Sequence, residues 1–593
     1  MLKTIITPLL FISSLCGVIK VNGQDQDLSA DKIPDSLKKD AVAVVRYEKE
    51  NFEVTDVDRA TYRIHQIVTV LNEGGDAYLR FVHEGDKFRK LGELEIKIYD
   101  ANGKQLHKFK RKDLLTYNIG EGLIDDGIRH YLIFPRVSYP VTVETEVQME
   151  YKGLLTYPPY RFATPHVSVI FSDFTATVPK QLGLRFKARN TDLAPIKTDN
   201  VKTESYYWSV KNLPAIYYED GTVTRGKSYP HIMLAPNKFK LDNYEGDMST
   251  WKNFGTWYND VCAGMDKLSE PRINYYKDLV KSGQSNRDKV KMVYDYLQQN
   301  FRYVSIQLGI GGQKPLPASF TDEKKYGDCK GLSNYMMAVL KGLGIKSHLV
   351  IINRAPNDEP VDADFPADQF NHVVLLVPDG KDSIWLECTS KTALFGRLDI
   401  STENRNAVLV TENGGLLINT PASNAANNLF AVYSKIELQE SGAGMCTSAI
   451  LGTGEYNDEL LYNLSERKTD DQKAYLMKRI GYKQPDELAI TRIADSKGYN
   501  TNVTLAIEKV SEFIAGSKMF LAPHIYKFWN ESMPATAKRQ RDFFFDMPFR
   551  KTDTTIYKLP PGFVIDMLPT GKSFSCETAT YHSSFIFNEQ EGN

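Results

Sequence analysis

Three residues in the second half of the chain, Cys329, His372 and Glu387, have the types that nucleophilic cysteine chemistry requires. Such a cysteine acts as a thiolate, with an adjacent base and a third group that orients the base. The segment "YGDCKGLSNYMMAVLKGLG" (326–344) places Cys329 directly before an amphipathic helix. The positive end of the helix dipole would stabilise a thiolate there, and the first backbone N–H groups could bind a developing oxyanion. The sequence therefore offers a candidate nucleophile at a helix start.

The spacing of His372 and Glu387 predicts how their side chains could meet. The segments "NHVVLLV" and "SIWLECT" are predicted to be two strands of a hairpin joined by "PDGKD". If the loop consists of residues 378–381, Val377 pairs with Asp382 and His372 lies directly opposite Glu387. Opposed residues on one sheet face have Cβ atoms about 4.5–5.5 Å apart, so the carboxylate could hold one imidazole nitrogen and leave the other for the thiol. A five-residue loop would place the two side chains on opposite faces.

Each of these residues also has an ordinary structural interpretation. A cysteine at a helix start is more often a small buried residue than a nucleophile. A histidine at a strand end is usually a half-exposed polar residue, and Glu387 could be a strand carboxylate that faces solvent. The glycine-rich "GIGG" (309–312) is a weak phosphate-loop signal, because no suitable helix follows it at once. Taken one at a time, the residues leave catalysis and plain packing open.

The other cysteines indicate structure more than chemistry. Cys388 is predicted to point away from Glu387 into the core, and Cys262 to lie in the core on a helix. Cys446 and Cys576 could form a disulfide, although the sequence alone does not decide it. The chain has no CxxC or HExxH pattern, and its ten histidines lack the spacing of ligands. The sequence therefore predicts neither a metal nor a cofactor.

A compact α+β domain is predicted to position the candidate site, over residues 265–418. The segment "SNRDKVKMVYDYLQQNFRY" (285–303) places apolar residues on one helical face after a capping Ser285. The helix after Cys329 follows, then a strand at 345–352 and the hairpin. Two helices, a strand and a hairpin form the predicted unit.

The regions on both sides of this unit are predicted to be rich in strands. Residues 40–250 alternate between apolar and polar types and indicate an N-terminal antiparallel β-sandwich of two sheets. A polar linker at 419–428 leads to a C-terminal mostly-β domain, 429–593, with one helix at 469–480. The chain is therefore predicted to be multidomain.

The first residues and the overall charge restrict where the protein acts. Residues 1–23 have a short basic start, an apolar run and a small-residue end, which is typical of a secretory signal peptide. No later apolar run reaches transmembrane length. With 73 Lys and Arg against 74 Asp and Glu, the net charge of −1 gives no electrostatic footprint for nucleic acid or an anionic membrane. We expect an exported protein of the periplasm or the extracellular space.

The motifs around Cys329 resemble the core of the bacterial transglutaminase-like superfamily. "YGDCKGLSNYMMAVLKGLGIKSHLVII", "FNHVVLLV" and "SIWLECTS" match its cysteine helix, histidine strand and acid strand. The resemblance implies a papain-like fold with Cys329 as nucleophile, His372 as base and Glu387 as the orienting acid, where Asp is common in the family. It also implies a glutamine or tryptophan upstream as an oxyanion partner, and Gln307 and Gln313 are the candidates.

The same resemblance covers most of the chain. It implies an uncharacterised β domain before the core and a second one after it, as in a larger class of envelope proteins. Members of this class usually continue through more strands than "SSFIFNEQEGN" provides, so the C-terminal domain is expected to be atypical or incomplete.

Two classes of function fit these observations. The first is an exported cysteine enzyme that acts on peptide or glutamine-type amide bonds through a thioester, with hydrolysis favoured and transamidation of protein glutamine as the alternative. The second is a non-catalytic envelope protein that keeps the fold for binding or scaffolding. A protein or peptide substrate is expected in the first case, and an envelope protein or glycan partner is compatible with both.

Overall fold

The structure, a computed structural model, describes most of the chain from residue 27 onwards. The described ranges are 27–120, 125–135, 138–217, 219, 221, 229–355, 361–480, 483–484, 486–495, 498–511, 513–527, 529, 539 and 542–588. The predicted signal peptide, 1–23, lies outside them. None of the helices in these ranges has the length and the apolar character needed to cross a bilayer.

The N-terminal region consists almost entirely of strands. After a short helix α1, Asp35–Lys38, it contains β1 Ala43–Asp56, β2 Arg59–Val70, β3 Arg80–Gly85, β4 Arg89–Tyr99, β5 Gln105–Lys110, β6 Leu115–Asn118, β7 Ile128–Ile133, β8 Val141–Lys152, β9 Val167–Pro179, β10 Leu184–Arg189, β11 Ile196–Asp199, β12 Thr203–Leu213, β13 His231–Pro236, β14 Lys238–Leu241 and β15 Tyr244–Asp247. The predicted multidomain chain with a β-rich N-terminal region is confirmed.

One large sheet dominates this region, in the order β11-β12-β9-β1-β2-β8-β4-β5. A three-stranded sheet, β3-β7-β6, and two pairs, β10-β13 and β14-β15, accompany it. The predicted antiparallel pairing is wrong at one place, because β1 and β9 run parallel. A parallel pair needs a long connection, and the chain supplies one by building most of the region between these two strands. The arrangement as a two-sheet sandwich stays a prediction.

The middle of the chain alternates helices with a second sheet. It contains α2 Trp251–Cys262, α3 Glu270–Leu279, α4 Asn286–Asn300, β16 Arg302–Tyr303, α5 Ala318–Lys324, β17 Tyr326–Gly327, α6 Cys329–Gly342, β18 His348–Ile352, β19 His372–Asp379, β20 Asp382–Leu386, β21 Asn406–Thr411 and β22 Gly414–Asn419. The sheet order is β20-β19-β18-β21-β22, and β16 pairs with β17 separately.

Both faces of this sheet are covered, which explains the unbroken apolar runs at 349–352 in β18 and 373–377 in β19. Along β19, Val373, Leu375 and Val377 join the large core with α2, α4 and α6. The alternate residues Val374 and Leu376 join a smaller core on the other side. A strand buried on both faces loses the alternation of polar and apolar residues that half-buried strands show.

Helix α2 approaches the sheet closely enough to require glycine on both sides. A Cβ atom added to Gly255 would lie 2.1 Å from the backbone of Gly415 on β22. No ordinary contact is that short, so a side chain at either position would push the helix away from the sheet. Helix α4 begins as predicted, since the Ser285 hydroxyl accepts a hydrogen bond from the Asp288 amide at 3.1 Å.

The C-terminal region forms a third sheet with helices beside it. Its elements are β23 Leu429–Leu438, β24 Gly444–Gly452, α7 Glu455–Leu461, α8 Thr469–Tyr475, β25 Glu487–Asp495, β26 Gly498–Ile507, β27 Phe513–Ala515, β28 Lys518–Phe520, β29 Arg550–Lys558, β30 Lys572–Ser575 and β31 Thr580–Ser583. The main sheet has the order β25-β26-β24-β23-β29. Helix α8 begins where the predicted helix begins, and a π-helical turn, Leu476–Ile480, continues it to the predicted end; the pattern did not predict α7.

Ion pairs join the flanking regions to the central one. Arg397 donates from Nη2 to Glu455 at 2.7 Å and to Asp458 at 2.6 Å, which ties the segment after β20 to helix α7. On the N-terminal side, Lys187 donates to Asp362 at 2.8 Å. Cys446 is buried in the C-terminal core and Cys576 is exposed, and neither forms the disulfide that the sequence left open.

Candidate active site

Cys329 is the first residue of helix α6, and the helix start is tightly capped. The preceding Asp328 accepts a hydrogen bond from the Gly331 amide at 2.9 Å, and its backbone carbonyl accepts one from the Leu332 amide at 2.9 Å. The amides of Cys329 and Lys330 also lie in the first turn, where a helix has no acceptors of its own. These two N–H groups are therefore the ones a bound anion could use.

The residues on both sides of Cys329 form a buried ion pair. Lys330 Nζ contacts Asp328 Oδ2, and the two side chains are 6% and 2% exposed. Removing one partner of such a pair leaves the other charge buried and unpaired, which is costly. The pair thus fixes the backbone that carries the cysteine. The signal for this role is in "GDCKG", where an aspartate precedes the helix at the N-cap position.

His372 and Glu387 meet directly, although not in the predicted register. The turn consists of two residues, Gly380 and Lys381, so Val377 pairs with Ile384 and the predicted pairing of Val377 with Asp382 is wrong. Gly380 has φ of +66°, and a glycine at the first loop position suits a two-residue hairpin turn.

The difference in register is two residues, which keeps both side chains on one face. Continued beyond the ladder, the observed register places Val374 opposite Glu387, so His372 and Glu387 are diagonal neighbours. The longer side chain of glutamate spans the diagonal, and His372 Nε2 lies 2.8 Å from Glu387 Oε2. The pair is deeply buried, with side chains 6% and 1% exposed.

The second oxygen of Glu387 is held by the residues that follow it. Oε1 accepts hydrogen bonds from the Thr389 amide at 3.0 Å and from the Thr389 hydroxyl. The backbone carbonyl of Glu387 accepts a hydrogen bond from Tyr294 on α4 at 2.9 Å. Sequence reasoning missed both residues, because the rules for local side-chain-to-backbone turns concern Asp, Asn, Ser and Thr and give no signal for the glutamate in "ECT".

The thiol of Cys329 completes the set. It interacts with the imidazole of His372. Because Nε2 is occupied by Glu387, Nδ1 is the nitrogen left for the sulfur. Burial lowers the pKa of His372, but the hydrogen bonds and charges of Cys329 and Glu387 outweigh burial and raise this pKa to about 9. Burial raises the pKa of Glu387, yet His372, Thr389 and Arg354 together bring it down to about 2. Around neutral pH both members of the pair are therefore charged.

The two predicted oxyanion glutamines belong to the glycine-rich approach to Cys329. The Gln307 side chain is exposed, and its Oε1 lies near Gly312 in the glycine-rich loop. Gln313 is the residue that ends the short 3-10 helix of that loop, Gly309–Gly312. Neither side chain forms a hydrogen bond with Cys329 or His372. The structure therefore brings together Cys329, His372 and Glu387, and the oxyanion role of the glutamines stays a prediction.

The remaining cysteines of the region have the environment of core residues. Burial raises the pKa of Cys262 to about 12, and it raises the pKa of Cys388 further. Both sulfurs belong to the large core that α2, α4 and α6 share. Within the described residues one group has the geometry of metal ligands, His65, Glu144 and Glu146 on the N-terminal sheet. His65 Nε2 lies 2.9 Å from Glu144 Oε1, which a hydrogen bond explains.

Comparison with protein families gives three matches along the chain. Residues 273–393 match the Transglutaminase-like superfamily, which includes Cys329, His372 and Glu387. Residues 57–217 match a Domain of Unknown Function, DUF3857, and residues 517–593 match another, DUF3858. No curated protein matches the chain significantly.

Solved structures support the fold. A protein from Parabacteroides distasonis ATCC 8503, described as a candidate protease, has 11% identity and a TM-score of 0.52, and the match covers 79% of this chain and 94% of that one. A candidate cysteine protease from Cytophaga hutchinsonii has 10% identity and a TM-score of 0.18, over 57% of this chain and 83% of that one. At these identities the first likeness shows the fold alone, and the second is too distant to support an argument. The chain thus contains a core of the Transglutaminase-like superfamily between a DUF3857 domain and a DUF3858 domain, the three-part layout that the sequence indicated.

Proposed function

We propose that the protein is a cysteine enzyme that cleaves peptide or glutamine-type amide bonds through a thioester, with Cys329 as nucleophile, His372 as acid and base, and Glu387 as the orienting carboxylate. One observation carries the proposal: a single buried imidazole is bonded at once to a cysteine at a helix start and to a carboxylate. An ordinary core histidine needs no such pair of partners, and a solvated carboxylate would not be 1% exposed.

The geometry supports a specific sequence of proton transfers. The charged His372 holds on Nδ1 the proton that Cys329 gives up, and the thiolate of Cys329 attacks the substrate carbonyl carbon. The resulting oxyanion is bound by the free amides at the start of α6, those of Cys329 and Lys330. His372 then returns its proton to the departing amine as the C–N bond breaks, which leaves a thioester on Cys329.

The thioester is resolved by a second nucleophile. For hydrolysis, His372 takes a proton from water, the hydroxide attacks the thioester carbon, and the proton passes to the sulfur as the acid product leaves. A primary amine in place of water gives transamidation through the same steps. Hydrolysis is favoured because no site for an amine is evident among the described residues around Cys329.

Export completes the proposal. The pattern of residues 1–23 supports passage through a membrane, to the periplasm or the extracellular space. The flanking domains would then meet their substrate, or an envelope protein or glycan, outside the cytoplasm. A non-catalytic binding role for the same fold is the competing proposal, and it requires an unreactive Cys329.

Thiol labelling separates the enzyme from the scaffold. We expect iodoacetamide at pH 6 to modify Cys329 much faster than Cys262 or Cys388, followed by peptide mass spectrometry of the whole chain. His372→Ala should slow the labelling of Cys329, whereas Cys576→Ser, which removes an exposed thiol, should not. A Cys329 no faster than the two core cysteines would overturn the proposal. Release of ammonia or amine from glutamine peptides, with or without incorporation of a labelled primary amine, then separates hydrolysis from transamidation.

A further inference from the structure

A partly exposed arginine lies at the end of the sheet where His372 begins. Strand β18 ends at Ile352, which pairs with His372, and Arg354 follows two residues later. The Arg354 amide donates to Asn371 Oδ1 at 2.6 Å, and Asn371 Nδ2 donates back to the Arg354 carbonyl at 3.1 Å. Because Asn371 directly precedes His372, these two hydrogen bonds fix Arg354 beside the proposed base.

The guanidinium of Arg354 is held in place but keeps free donors. Nε donates to the Ser401 hydroxyl at 2.9 Å, and Nη2 donates to Asp399 at 3.3 Å. Among the described residues Nη1 has no acceptor, and the side chain is 40% exposed. An arginine has five N–H donors in a planar fork, so the two that are used leave an edge open to solvent.

A partly exposed tyrosine near Cys329 is also affected by the charge of this guanidinium. Tyr303 on β16 pairs with Gly327, two residues before Cys329, and its side chain is 49% exposed. The pKa of Tyr303 is raised by burial and by the neighbouring charges of Cys329 and Asp328, and Arg354 opposes the rise. Arg354 also contributes to the low pKa of Glu387. The charges of Cys329 and of Arg354 therefore both affect the pKa of Tyr303.

The other charged groups described at the site are paired with each other, whereas Arg354 keeps hydrogen-bond donors that are not used. Asp328 is paired with Lys330, and Glu387 is paired with His372. Among the described residues of the site, Arg354 is the cation that has both exposure and unused donors, although Asp399 partly neutralises it.

We propose that Arg354, held beside His372 at the end of the sheet, forms a subsite that binds a carboxylate of the substrate next to the amide bond under attack. The inference rests on the proposed function and names its substrate class: peptides with an acidic side chain or a free C-terminal carboxylate near the scissile bond. A carboxylate would accept two parallel hydrogen bonds from the open edge of the fork, an arrangement that a lysine cannot reproduce.

Two alkylating reagents of nearly equal size test the charge directly. Iodoacetate carries a carboxylate and iodoacetamide does not, so the ratio of their rates at Cys329 measures the preference for an anion. We expect Arg354→Gln to lower this ratio about fivefold, because iodoacetamide has no carboxylate for the guanidinium to bind. Asp399→Asn removes the competing carboxylate and should raise the ratio. A purely structural role for Arg354 would slow both reagents together, and an unchanged ratio in Arg354→Gln overturns the subsite.

Binding to the full chain with Cys329→Ser provides a test that needs no reactive thiol. The probes are N-acetylglutamate α-amide with only a side-chain carboxylate, N-acetylglutamine with only an α-carboxylate, and N-acetylglutaminamide with neither. Binding of one acid that is lost in Arg354→Gln identifies which carboxylate the subsite takes, and absence of binding by both acids overturns it. If Cys329 proves unreactive while an acid binds through Arg354, the proposed catalysis fails and the subsite stands.

Discussion

Replacing Glu387 by glutamine tests the proposed site most sharply, because it removes a charge and keeps the shape. The pKa of Glu387 falls from 4.5 to about 2, and that of His372 rises from 6.5 to about 9. Each change corresponds to about 3 kcal/mol. Other groups share in both changes, so we attribute about 2 kcal/mol to the charge of Glu387, or about thirtyfold in an equilibrium.

The expected result is a loss of the charged form of His372 around neutral pH. Without the carboxylate, burial lowers the pKa of His372 and the thiol proton has a weaker acceptor. We expect Glu387→Gln to slow the alkylation of Cys329 by iodoacetamide about thirtyfold at pH 7 and to move the pH profile of the rate. The same variant should lose a similar factor in kcat/KM once a substrate is known.

Two further variants control this experiment. Glu387→Asp keeps the charge but is one methylene shorter, so it should recover part of the rate. Asp382→Asn removes an exposed carboxylate from the same hairpin and should leave the rate unchanged. If Glu387→Gln has the rate and the pH profile of the natural chain, the carboxylate does not support His372 and the reasoning is refuted.

Three other results are expected. Asp328→Ala should lower the free energy of unfolding by about 3–5 kcal/mol, since it leaves Lys330 buried without its partner, and Lys330→Met in the same chain should restore part of it. Leu340→Ala, at a fully buried position of α6, should cost about 2–5 kcal/mol. Stabilisation by the His372–Glu387 pair should be complete between pH 4.5 and 6.5, where histidine is protonated and glutamate is ionised in the unfolded chain as well as in the folded one. It should decline as pH rises towards about 9, where the folded His372 loses its proton, and as pH falls towards about 2, where the folded Glu387 gains one.

Urea unfolding of the full chain, followed by tryptophan fluorescence, measures all three. For the ion pair, equal losses in Asp328→Ala and in the double variant would show that the buried lysine charge is not the cause. For Leu340, the matched control is Met337→Ala on the partly exposed side of the same helix, which should cost less; a larger loss there would contradict the packing. For the His372–Glu387 pair, a difference between the natural chain and Glu387→Gln that stays constant from pH 5.5 to 9.5 would count against the pKa values.

The sequence predicted the candidate site better than the fold around it. The helix start at Cys329 and the Ser285 cap follow local rules that act over four residues, and both are confirmed. The exact pairing of β19 and β20 did not follow, because "PDGKD" permits more than one turn and Gly380 selects the shorter one. The prediction that His372 and Glu387 share one face of the sheet holds nevertheless, because a register shift by an even number of residues keeps each side chain on its face.

Long-range contacts account for what the sequence did not predict. The parallel pairing of β1 with β9 joins segments more than a hundred residues apart, and nothing local signals it. Arg354 was missed for the same reason, since the loop between β18 and β19 separates it from His372 in the sequence although the two are neighbours in the fold. Thr389 differs from these cases, because it lies only two residues from Glu387 and holds the carboxylate through a local contact.

The two-residue turn at Gly380 also makes the far end of the hairpin a position for labelling. His372 opens β19 and Asp379 closes it, so the turn lies about 23 Å along the strand from the imidazole. Residues 380–382 are exposed, while the ladder between Leu375 and Leu386 holds the register independently of the tip. A fluorophore or a short peptide tag introduced between Gly380 and Lys381 would therefore report on the protein without displacing His372 or Glu387.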